Sequence, residues 1–296
     1  MKDNGATPEP VDARREAGRA GPRVGLALSG GAARGAAHVG VLQVLAEQGV
    51  PVDCVAGTSA GALVGGAYAA GISVDELTEF ARAMRWRNFG RMTLSKLGVQ
   101  SNERMEEFIR ARFPVTRFED LRIPFAAVAA DLATGAAVVL AGEGDLAFAI
   151  RASCAVPGWY LPVTDGAGRQ LVDGGLVANL PVRVLKKFEP PPDVTIAVDV
   201  NYEGAKFLGP PRTALGVLFQ TIMVVQRAIS AHEARLADVT LRPRVGHIRW
   251  DEMRRADELI RAGRDAALES IGDIKRLLDA RAEARDARPA DLAPHA

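Results

Sequence analysis

Short apolar runs alternate with segments of helical character through the first half of the chain. Residues 24–29 and 54–58 consist largely of short apolar runs, and each is predicted to be a strand. Residues 35–48 place apolar side chains at helical spacing and stop at Gly49, and residues 60–70 are small and compatible with a helix. This alternation predicts an α/β fold with three α/β/α layers around a mainly parallel central sheet.

The same patterns predict the elements of the remaining chain. A capping box at Ser73 and Glu76 begins one of the helices. The predicted helices are 73–84, 101 or 102 to 112, 146–154, 213–235 and 251–280. The predicted strands are 125–130, 136–141, 160–163, 169–172, 194–200, 239–241 and 245–249, with the third and fourth joined as a hairpin. We expect one domain over residues 23–280, between a disordered leader at 1–22 and a disordered tail at 281–296.

Composition narrows the classes of function. A net charge of +1 over 296 residues leaves no surplus of basic residues to neutralise phosphates, so nucleic acid is not an expected partner. Cys54 and Cys154 lie far apart in apolar surroundings, which is typical of reduced core cysteines. No metal-ligand spacing occurs among the four histidines, His38, His232, His247 and His295. We therefore expect neither a metal site nor a disulfide framework.

The apolar pattern also indicates the expected cellular location of the protein. Residues 1–22 are rich in charge, glycine, proline and alanine and lack the apolar core of a signal peptide. No apolar run approaches the roughly 18–20 residues that span a bilayer. We therefore expect a cytoplasmic protein whose contact with a membrane, if it makes one, is peripheral.

The pentapeptide Gly57-Thr58-Ser59-Ala60-Gly61 lies between a predicted strand and a predicted helix. This arrangement is that of a nucleophile elbow, in which a sharp turn from strand to helix exposes a serine hydroxyl. Glycine at both ends permits the tight turn and leaves space for a substrate. The pentapeptide alone is equally compatible with a packing turn, so the neighbouring motifs decide between the two.

Two further motifs supply the groups that a serine nucleophile needs. The loop Gly30-Gly31-Ala32-Ala33-Arg34-Gly35 leaves the first predicted strand and enters a helix, so its N–H groups form an anion-binding concavity. If the first two strands are neighbours, this loop lies beside Ser59 as an oxyanion hole. Asp173 precedes Gly174 and Gly175 in a predicted loop and is the candidate base, with an ordinary Asp-Gly turn as the alternative.

Four motifs, in this order, resemble those of patatin-like phospholipases. They are SGGAARGAAHVG at 29–40, GTSAG at 57–61, ASCAVPG at 152–158 and LVDGGLVANLP at 171–181. The resemblance is to a bacterial member of the family, and it is dense over residues 23–200 and looser to about residue 280.

This resemblance implies a fold, a site and an activity. The fold is the three-layer patatin-like fold, and the site is a Ser59–Asp173 dyad in place of a triad, with residues 30–35 as the oxyanion loop. The implied activity is hydrolysis of acyl esters in phospholipids, lysophospholipids and neutral lipids, without a cofactor. A lipid is therefore the expected partner, and the oligomeric state stays open.

One residue departs from the family pattern, because Ala32 stands where the family has its third glycine. Alanine keeps the N–H donor, but a positive φ there costs on the order of 1 kcal/mol. Arg34 matches the family's arginine, and we favour a structural role for it over contact with a phosphate head group. For Asp173 to accept a serine proton, partial burial must raise its pKa. The amides of Gly31, Ala32 and Ala60 are the expected oxyanion donors.

Three alternative functions are weaker. Ser59, Asp173 and His247 occur in the order of an α/β-hydrolase triad, but the elbow follows only the second predicted strand. In addition, nothing around His247 resembles a catalytic loop. A nucleotide-binding interpretation of residues 30–35 lacks the middle glycine, and Asp53 precedes its strand instead of ending it. A catalytically silent scaffold does not agree with the presence of both Ser59 and Asp173.

Four other features keep a structural interpretation beside a functional one. His38 lies within the first motif and is expected to be structural. Asn179 either orients the Asp173 loop or belongs to a plain turn. The apolar segment 215–225 either faces lipid or packs in a core or dimer, and the second is favoured. Residues 82–94 combine aromatic and apolar residues with four arginines, and form either a contact with anionic lipid or a solvated loop.

Overall fold

A mostly parallel sheet runs through the centre of the protein. The computed structural model describes residues 21–203 and 210–286. Its strands are β1 Val24–Leu28, β2 Cys54–Thr58, β3 Arg91–Met92, β4 Gly98–Ser101, β5 Phe125–Asp131, β6 Ala137–Ala141, β7 Gly158–Tyr160, β8 Val163–Thr164, β9 Gln170–Asp173, β10 Val194–Val198 and β11 Val239–Leu241. Its helices are α1 Ala36–Glu47, α2 Ala60–Ala69, α3 Val74–Ala83, α4 Glu103–Arg112, α5 Leu146–Ser153, α6 Gly175–Ala178, α7 Val182–Leu185, α8 Ala214–Glu233 and α9 Ala256–Asp286.

The central sheet has the strand order β11-β10-β1-β2-β5-β9-β8, and β6 also pairs with β5. The strands from β11 to β5 in this order pair in parallel. Strands β6 and β9 pair antiparallel with β5, and β8 pairs antiparallel with β9. Every residue of β1 and β2 is buried, which is typical of parallel strands that are covered on both faces.

Alternate residues of the strands face two cores, one on each side of the sheet. Leu26 and Leu28 of β1 lie in the larger core, which includes side chains of α1, α2 and α9. Ala27, between them, lies in the smaller core with Val182 and Leu185 of α7. The large side chains thus point to one helical layer and the small ones to the other. The three-layer α/β/α fold with a mostly parallel sheet is therefore confirmed.

Strand β5 brings the ends of β2 and β9 together. Because β6 pairs along most of β5, it occupies one edge of that strand. The opposite edge is shared, with Thr58 of β2 opposite Val128 and Asp173 of β9 opposite Ala129. Since Val128 and Ala129 are consecutive, the residue that follows β2 must meet the last residue of β9.

A small second sheet, with the order β3-β4-β7, was not predicted. The single strand predicted at 160–163 is wrong, because this segment divides between β7 in the small sheet and β8 in the central one. Pro162 separates the two strands and has no N–H with which to continue a ladder. The N–H of Leu161 instead donates to the carbonyl of Gln100 in β4, which continues the pairing of β4 with β7. The hairpin therefore joins β8 and β9.

Two other predictions need correction. The strand predicted at 245–249 is a turn, in which the Ile248 N–H donates to the Val245 carbonyl. Asp173 does not lie in a loop, because it is the last residue of β9. The first error comes from assigning a strand to a short apolar segment, for which periodicity is a weak guide, and the second from the Asp-Gly-Gly sequence, which is typical of turns.

The predicted termini fall mostly outside the described residues. Helix α9 continues to Asp286, so the tail predicted from residue 281 begins inside a helix. Residues 287–296 of that tail and residues 1–20 of the leader lie outside the part of the chain that the structure describes. The division into leader, one domain and tail stays a prediction. None of the helices within 21–203 and 210–286 combines the length and apolar character needed to cross a membrane.

Candidate active site

Ser59 occupies a strained turn between β2 and α2. Its φ of 54° and ψ of −120° lie where glycine is favoured, so the surrounding structure must hold it there. Its N–H donates to the hydroxyl of Ser153 at 2.9 Å, and that hydroxyl donates to the Val128 carbonyl at 2.6 Å. A Cβ on Gly61 would collide with the Leu28 carbonyl. This is the sharp strand-to-helix turn that the pentapeptide predicts.

The other residues of the pentapeptide fix the turn to its neighbours. Gly57 and Thr58 end β2, and Ala60 begins α2. A Cβ on Gly57 would meet the backbone of the first turn of α2. The Thr58 hydroxyl donates to the Ala178 carbonyl at 2.7 Å, which ties the turn to the segment after Asp173.

The glycine-rich loop packs against the turn that carries Ser59. β1 and β2 are parallel neighbours, which was the condition for this placement. Ala33, Arg34 and Gly35 belong to a 3₁₀ turn that begins at Ala32. A Cβ on Gly35 would lie 2.5 Å from the Cβ of Ala60, so only glycine permits this approach.

Three backbone N–H groups remain free beside Ser59. Those of Gly31, Ala32 and Ala60 have no acceptor within residues 21–203 and 210–286, whereas the Gly30 N–H donates to the Asn179 carbonyl at 3.0 Å. Ala32 has a φ of 51°, so the departure from glycine does place alanine in the left-handed region. The three free donors are the ones that sequence analysis assigned to an oxyanion.

Arg34 is a buried residue of the glycine-rich loop that bonds neighbouring segments. It is fully buried, and its Nε donates to the Ile248 carbonyl at 2.8 Å while Nη1 donates to Asn201 Oδ1 at 3.0 Å. Burial lowers the pKa of Arg34, and the nearby charge of Glu203 partly offsets this. The arginine lines neither cavity beside Ser59, which agrees with the favoured structural role.

Asp173 presents a free carboxylate oxygen at the end of β9. The residue is only 1% exposed, and its Oδ1 accepts the Gly175 N–H at 2.8 Å. Its Oδ2 has no hydrogen-bond partner among the described residues. Burial raises the pKa of Asp173 to about 6, against the opposing effect of the Ser59 hydroxyl and the Gly175 N–H. Asp173 is thus a stronger base than an exposed aspartate and is still ionised at neutral pH.

Asn179 faces the same small space as Asp173. A Cβ on Gly175 would lie 2.9 Å from Asp173 Oδ1 and 3.0 Å from Asn179 Oδ1. The Asn179 amide donates to the Ser230 hydroxyl at 2.9 Å, and its Oδ1 has no partner among the described residues. Gly174 is equally confined, because a Cβ there would meet the Val128 carbonyl. These contacts favour the first interpretation of Asn179, as a residue that orients the Asp173 segment.

Two cavities meet at Ser59. The first, of about 120 Å³, is lined almost entirely by apolar side chains of α2, α3 and α4 and of the segment around Trp86. The second, of about 70 Å³, is lined by Trp159, Phe219 and Trp250 together with Asp173 and two amides, those of Asn201 and Gln226. Burial raises the pKa of Cys154, which lines the first cavity, well above that of a free thiol, so it is not an activated nucleophile.

Most residues of the cavity walls were not predicted from the sequence. Phe219, Ile222, Met223 and Gln226 lie on one face of α8, at the i, i+3, i+4 and i+7 spacing that marks a single face. That spacing was visible in the sequence, although it indicates a shared face and not a cavity. Trp159 and Trp250 carry no such signal, because tertiary packing alone brings them together with ring centroids 6.3 Å apart.

Comparison with known proteins decides the family. The family model of patatin-like phospholipases matches residues 26–186, which include Ser59, Asp173 and the glycine-rich loop. The chain belongs to the patatin-like phospholipase family.

Several known proteins are similar to this chain. An uncharacterized NTE family protein of Mycobacterium tuberculosis is 40% identical over 205 residues, 68% of this chain and 55% of that protein. Lysophospholipase NTE1 of Mycosarcoma maydis is 36% identical over 173 residues, 56% of this chain and 9% of that protein. The solved structure of VipD from Legionella pneumophila overlaps 88% of this chain and 67% of its own, with a TM-score of 0.48 and 14% identity. The chain thus spans about half the length of the NTE family protein.

The structure does not favour the alternatives to a patatin-like phospholipase. His247 is exposed, bonds Glu258 at 2.7 Å and lines a separate cavity that excludes Ser59 and Asp173. Asp53 accepts the Val24 N–H at 2.7 Å, at the end of the sheet away from the glycine-rich loop, so it is not placed to bind a ribose there.

The remaining residues singled out in the sequence are structural. His38 is fully buried, with its Nε2 2.9 Å from the Ser29 carbonyl, and burial lowers its pKa to about 4. Cys54 and Cys154 are free and buried, as predicted for core cysteines. Burial raises the pKa of Cys54 to about 11, so it stays a thiol.

Proposed function

We propose that the protein is a serine acyl hydrolase that cleaves fatty-acyl esters of lipids, with Ser59 as nucleophile and Asp173 as base. The observation that carries the proposal is the unpartnered Oδ2 of Asp173, buried in the cavity that Ser59 lines. A buried acceptor without a donor is costly, and a proton from the Ser59 hydroxyl would satisfy it. The family match and the lysophospholipase among the relatives support a lipid as the substrate.

In the first step, Ser59 Oγ bonds to the ester carbonyl carbon while its proton passes to Asp173 Oδ2. The carbonyl oxygen becomes an oxyanion, which the N–H groups of Gly31, Ala32 and Ala60 can stabilise. One such donor contributes about 3–4 kcal/mol to catalysis in other serine hydrolases. The bond to the leaving alcohol then breaks, and the alcohol oxygen takes the proton from Asp173, leaving an acyl group on Ser59.

In the second step, water attacks the acyl group and gives its proton to Asp173. The bond between Ser59 Oγ and the acyl carbon breaks, Oγ takes the proton back, and the fatty acid leaves. An aspartate with a pKa of about 6 suits both steps, because it is ionised at neutral pH and yet basic enough to accept a proton.

The two cavities suit the two halves of a lipid ester. The apolar first cavity fits the acyl chain, since its lining offers no charged group. In the second cavity, the Asn201 amide bonds Arg34 and Gln226 Oε1, and Gln226 Nε2 can donate to the polar alcohol half. An ester bound in this way has its carbonyl group at Ser59.

The test is fatty-acid release from mixed bacterial phospholipids and lysophospholipids, measured by mass spectrometry. We expect release by the full chain, loss of release by at least about 10³-fold in Ser59→Ala, and retention in His247→Ala. Thermal melting verifies that each variant is folded. Equal release by the full chain and by folded Ser59→Ala would overturn the proposal.

A further inference from the structure

Exposed apolar side chains concentrate on two segments of the protein. Ten large apolar side chains are exposed within the described residues, and seven of them belong to the β3–β4 hairpin or to α8. These seven are Met92, Leu94, Leu97, Val217, Leu218, Val224 and Val225. Such a concentration marks a surface that meets another molecule.

Both segments border the entrance to the candidate active site. Trp86 and Phe89, just before the hairpin, line the first cavity, and β4 pairs with β7. Trp159 of β7 contacts Phe219 of α8, with ring centroids 6.0 Å apart, and both line the second cavity. The exposed face of α8 thus lies on the outer side of a helix that lines the second cavity, and the hairpin directly follows a segment that lines the first.

The hairpin and the segment just before it are also strongly basic. Residues 85–101 contain Arg85, Arg87, Arg91 and Lys96 and no acidic residue, although the whole chain has a net charge of only +1. Arg85 donates to the carbonyls of Arg82 and Met84. No ion pair to any of the four basic residues occurs in the part of the chain that the structure describes. Their charge is therefore available to an outside partner.

Basic side chains around an exposed apolar tip match the surface of an anionic bilayer. The apolar side chains enter the boundary between head groups and acyl chains, while arginine and lysine remain at the level of the phosphates. A symmetric contact with a second copy would instead set four positive charges against four others. The charge therefore favours a lipid surface over a dimer.

We infer that the β3–β4 hairpin, with the exposed face of α8, docks the protein on an anionic phospholipid bilayer, with Leu94 and Leu97 inserted and Arg91 and Lys96 at the phosphates. Docking in this orientation turns both cavities toward the lipid. The inference goes beyond ester hydrolysis and does not require it, because binding is measurable with the nucleophile removed.

The test is co-sedimentation of the full-chain Ser59→Ala protein with vesicles of phosphatidylglycerol and phosphatidylcholine, compared with phosphatidylcholine alone. We expect preference for the anionic vesicles and weaker binding at high salt. In the same background, Arg91→Glu with Lys96→Glu, and separately Leu94→Ser with Leu97→Ser, are each expected to weaken binding by about tenfold or more.

Two control pairs make the same types of substitution at exposed positions outside the hairpin and α8. Lys186→Glu with Lys187→Glu changes two exposed lysines between α7 and β10, and Leu132→Ser with Leu268→Ser changes two exposed leucines, one after β5 and one in α9. We expect both control pairs to bind like the parent. No binding by the folded parent, equal binding to both vesicle types, or equal losses in control and hairpin pairs would each overturn the inference. Because the test measures vesicle binding and not hydrolysis, a failure of the proposed function can be distinguished from a failure of this inference.

Discussion

The two cavities that meet at Ser59 share part of their walls and differ in chemistry. Both include Ala32, Trp86, Val156 and Tyr160, yet only the second contains a carboxylate, that of Asp173. The lining of the first is almost entirely apolar, whereas the second combines aromatic rings with a carboxylate and two side-chain amides. A lipid ester has the same asymmetry, and the proposed orientation of the substrate rests on this difference. Each of the following predictions changes one cavity or their shared wall.

The largest effect is expected from removing the base in the second cavity. Asp173→Asn keeps the shape and the acceptor for Gly175 but cannot take a proton, so ester hydrolysis should fall by at least about 10³-fold. In the parent, the rate should fall about tenfold per pH unit below about 6, where Asp173 becomes protonated. A pH series with a soluble ester measures both effects. The control is Asp279→Asn, at an exposed position of α9, and an unchanged rate in Asp173→Asn would contradict the dyad.

The same substitution should make the protein more stable at high pH. The folded state holds a proton on Asp173 up to a pH of about 6, whereas the unfolded chain releases it near 3.9. This contribution to stability is complete below about 3.9 and is lost as the pH rises through about 6. Asp173→Asn should therefore raise the free energy of unfolding by up to about 3 kcal/mol at pH 8 and change it little at pH 3.5. Denaturant unfolding at the two pH values measures this, and destabilisation at pH 8 would contradict it.

Blocking the first cavity should change the choice of acyl chain. Ala60, Leu63, Val64 and Ala67 line it along α2, over about 10 Å of helix. Val64→Trp should lower kcat/KM for a decanoyl ester about 10- to 200-fold and leave an acetyl ester nearly unchanged, since only the longer chain needs the space. The control is Val139→Trp, at an exposed position of β6. Equal losses for the two esters would show that the acyl chain lies elsewhere.

The smallest effect is expected at the shared wall, where Ala32 has a φ of 51°. Ala32→Gly removes the cost of that conformation but gives the unfolded chain more freedom, so the net gain in stability should be at most about 1 kcal/mol. Ala33→Gly is the control and should destabilise the protein, because Ala33 does not have a positive φ. Melting curves compare the two variants, and a large loss of stability in Ala32→Gly would contradict the account.

The sequence predicted the centre of the site better than its walls. Gly57 and Gly61 are required by contacts with residues close in sequence or in the adjacent strand, so the elbow is evident from local pattern. The pairing of Gly98 with Gly158 and the contact of Trp86 with Trp250 join distant segments, and no local pattern indicates them. For the same reason, the small sheet and the aromatic wall were found only in the structure.

The burial of Asp173 illustrates the limit of the motif. The Asp-Gly-Gly sequence suggested an ordinary loop, yet the residue ends β9 opposite Ala129. Its position beside Ser59 follows from the way β2 and β9 share one edge of β5, which is a property of the whole sheet. A chemical role could be proposed for these residues from sequence, whereas their geometry required the fold.

The central claim is that Ser59 is a nucleophile activated by Asp173. The most direct measurement is labelling of the full chain with a fluorophosphonate, which reacts with activated serines, followed by mass spectrometry of the peptides. We predict a label on Ser59, at a rate at least about 10³-fold lower in folded Asp173→Asn. A label on another residue, or equal labelling of Ser59 without Asp173, would contradict the account.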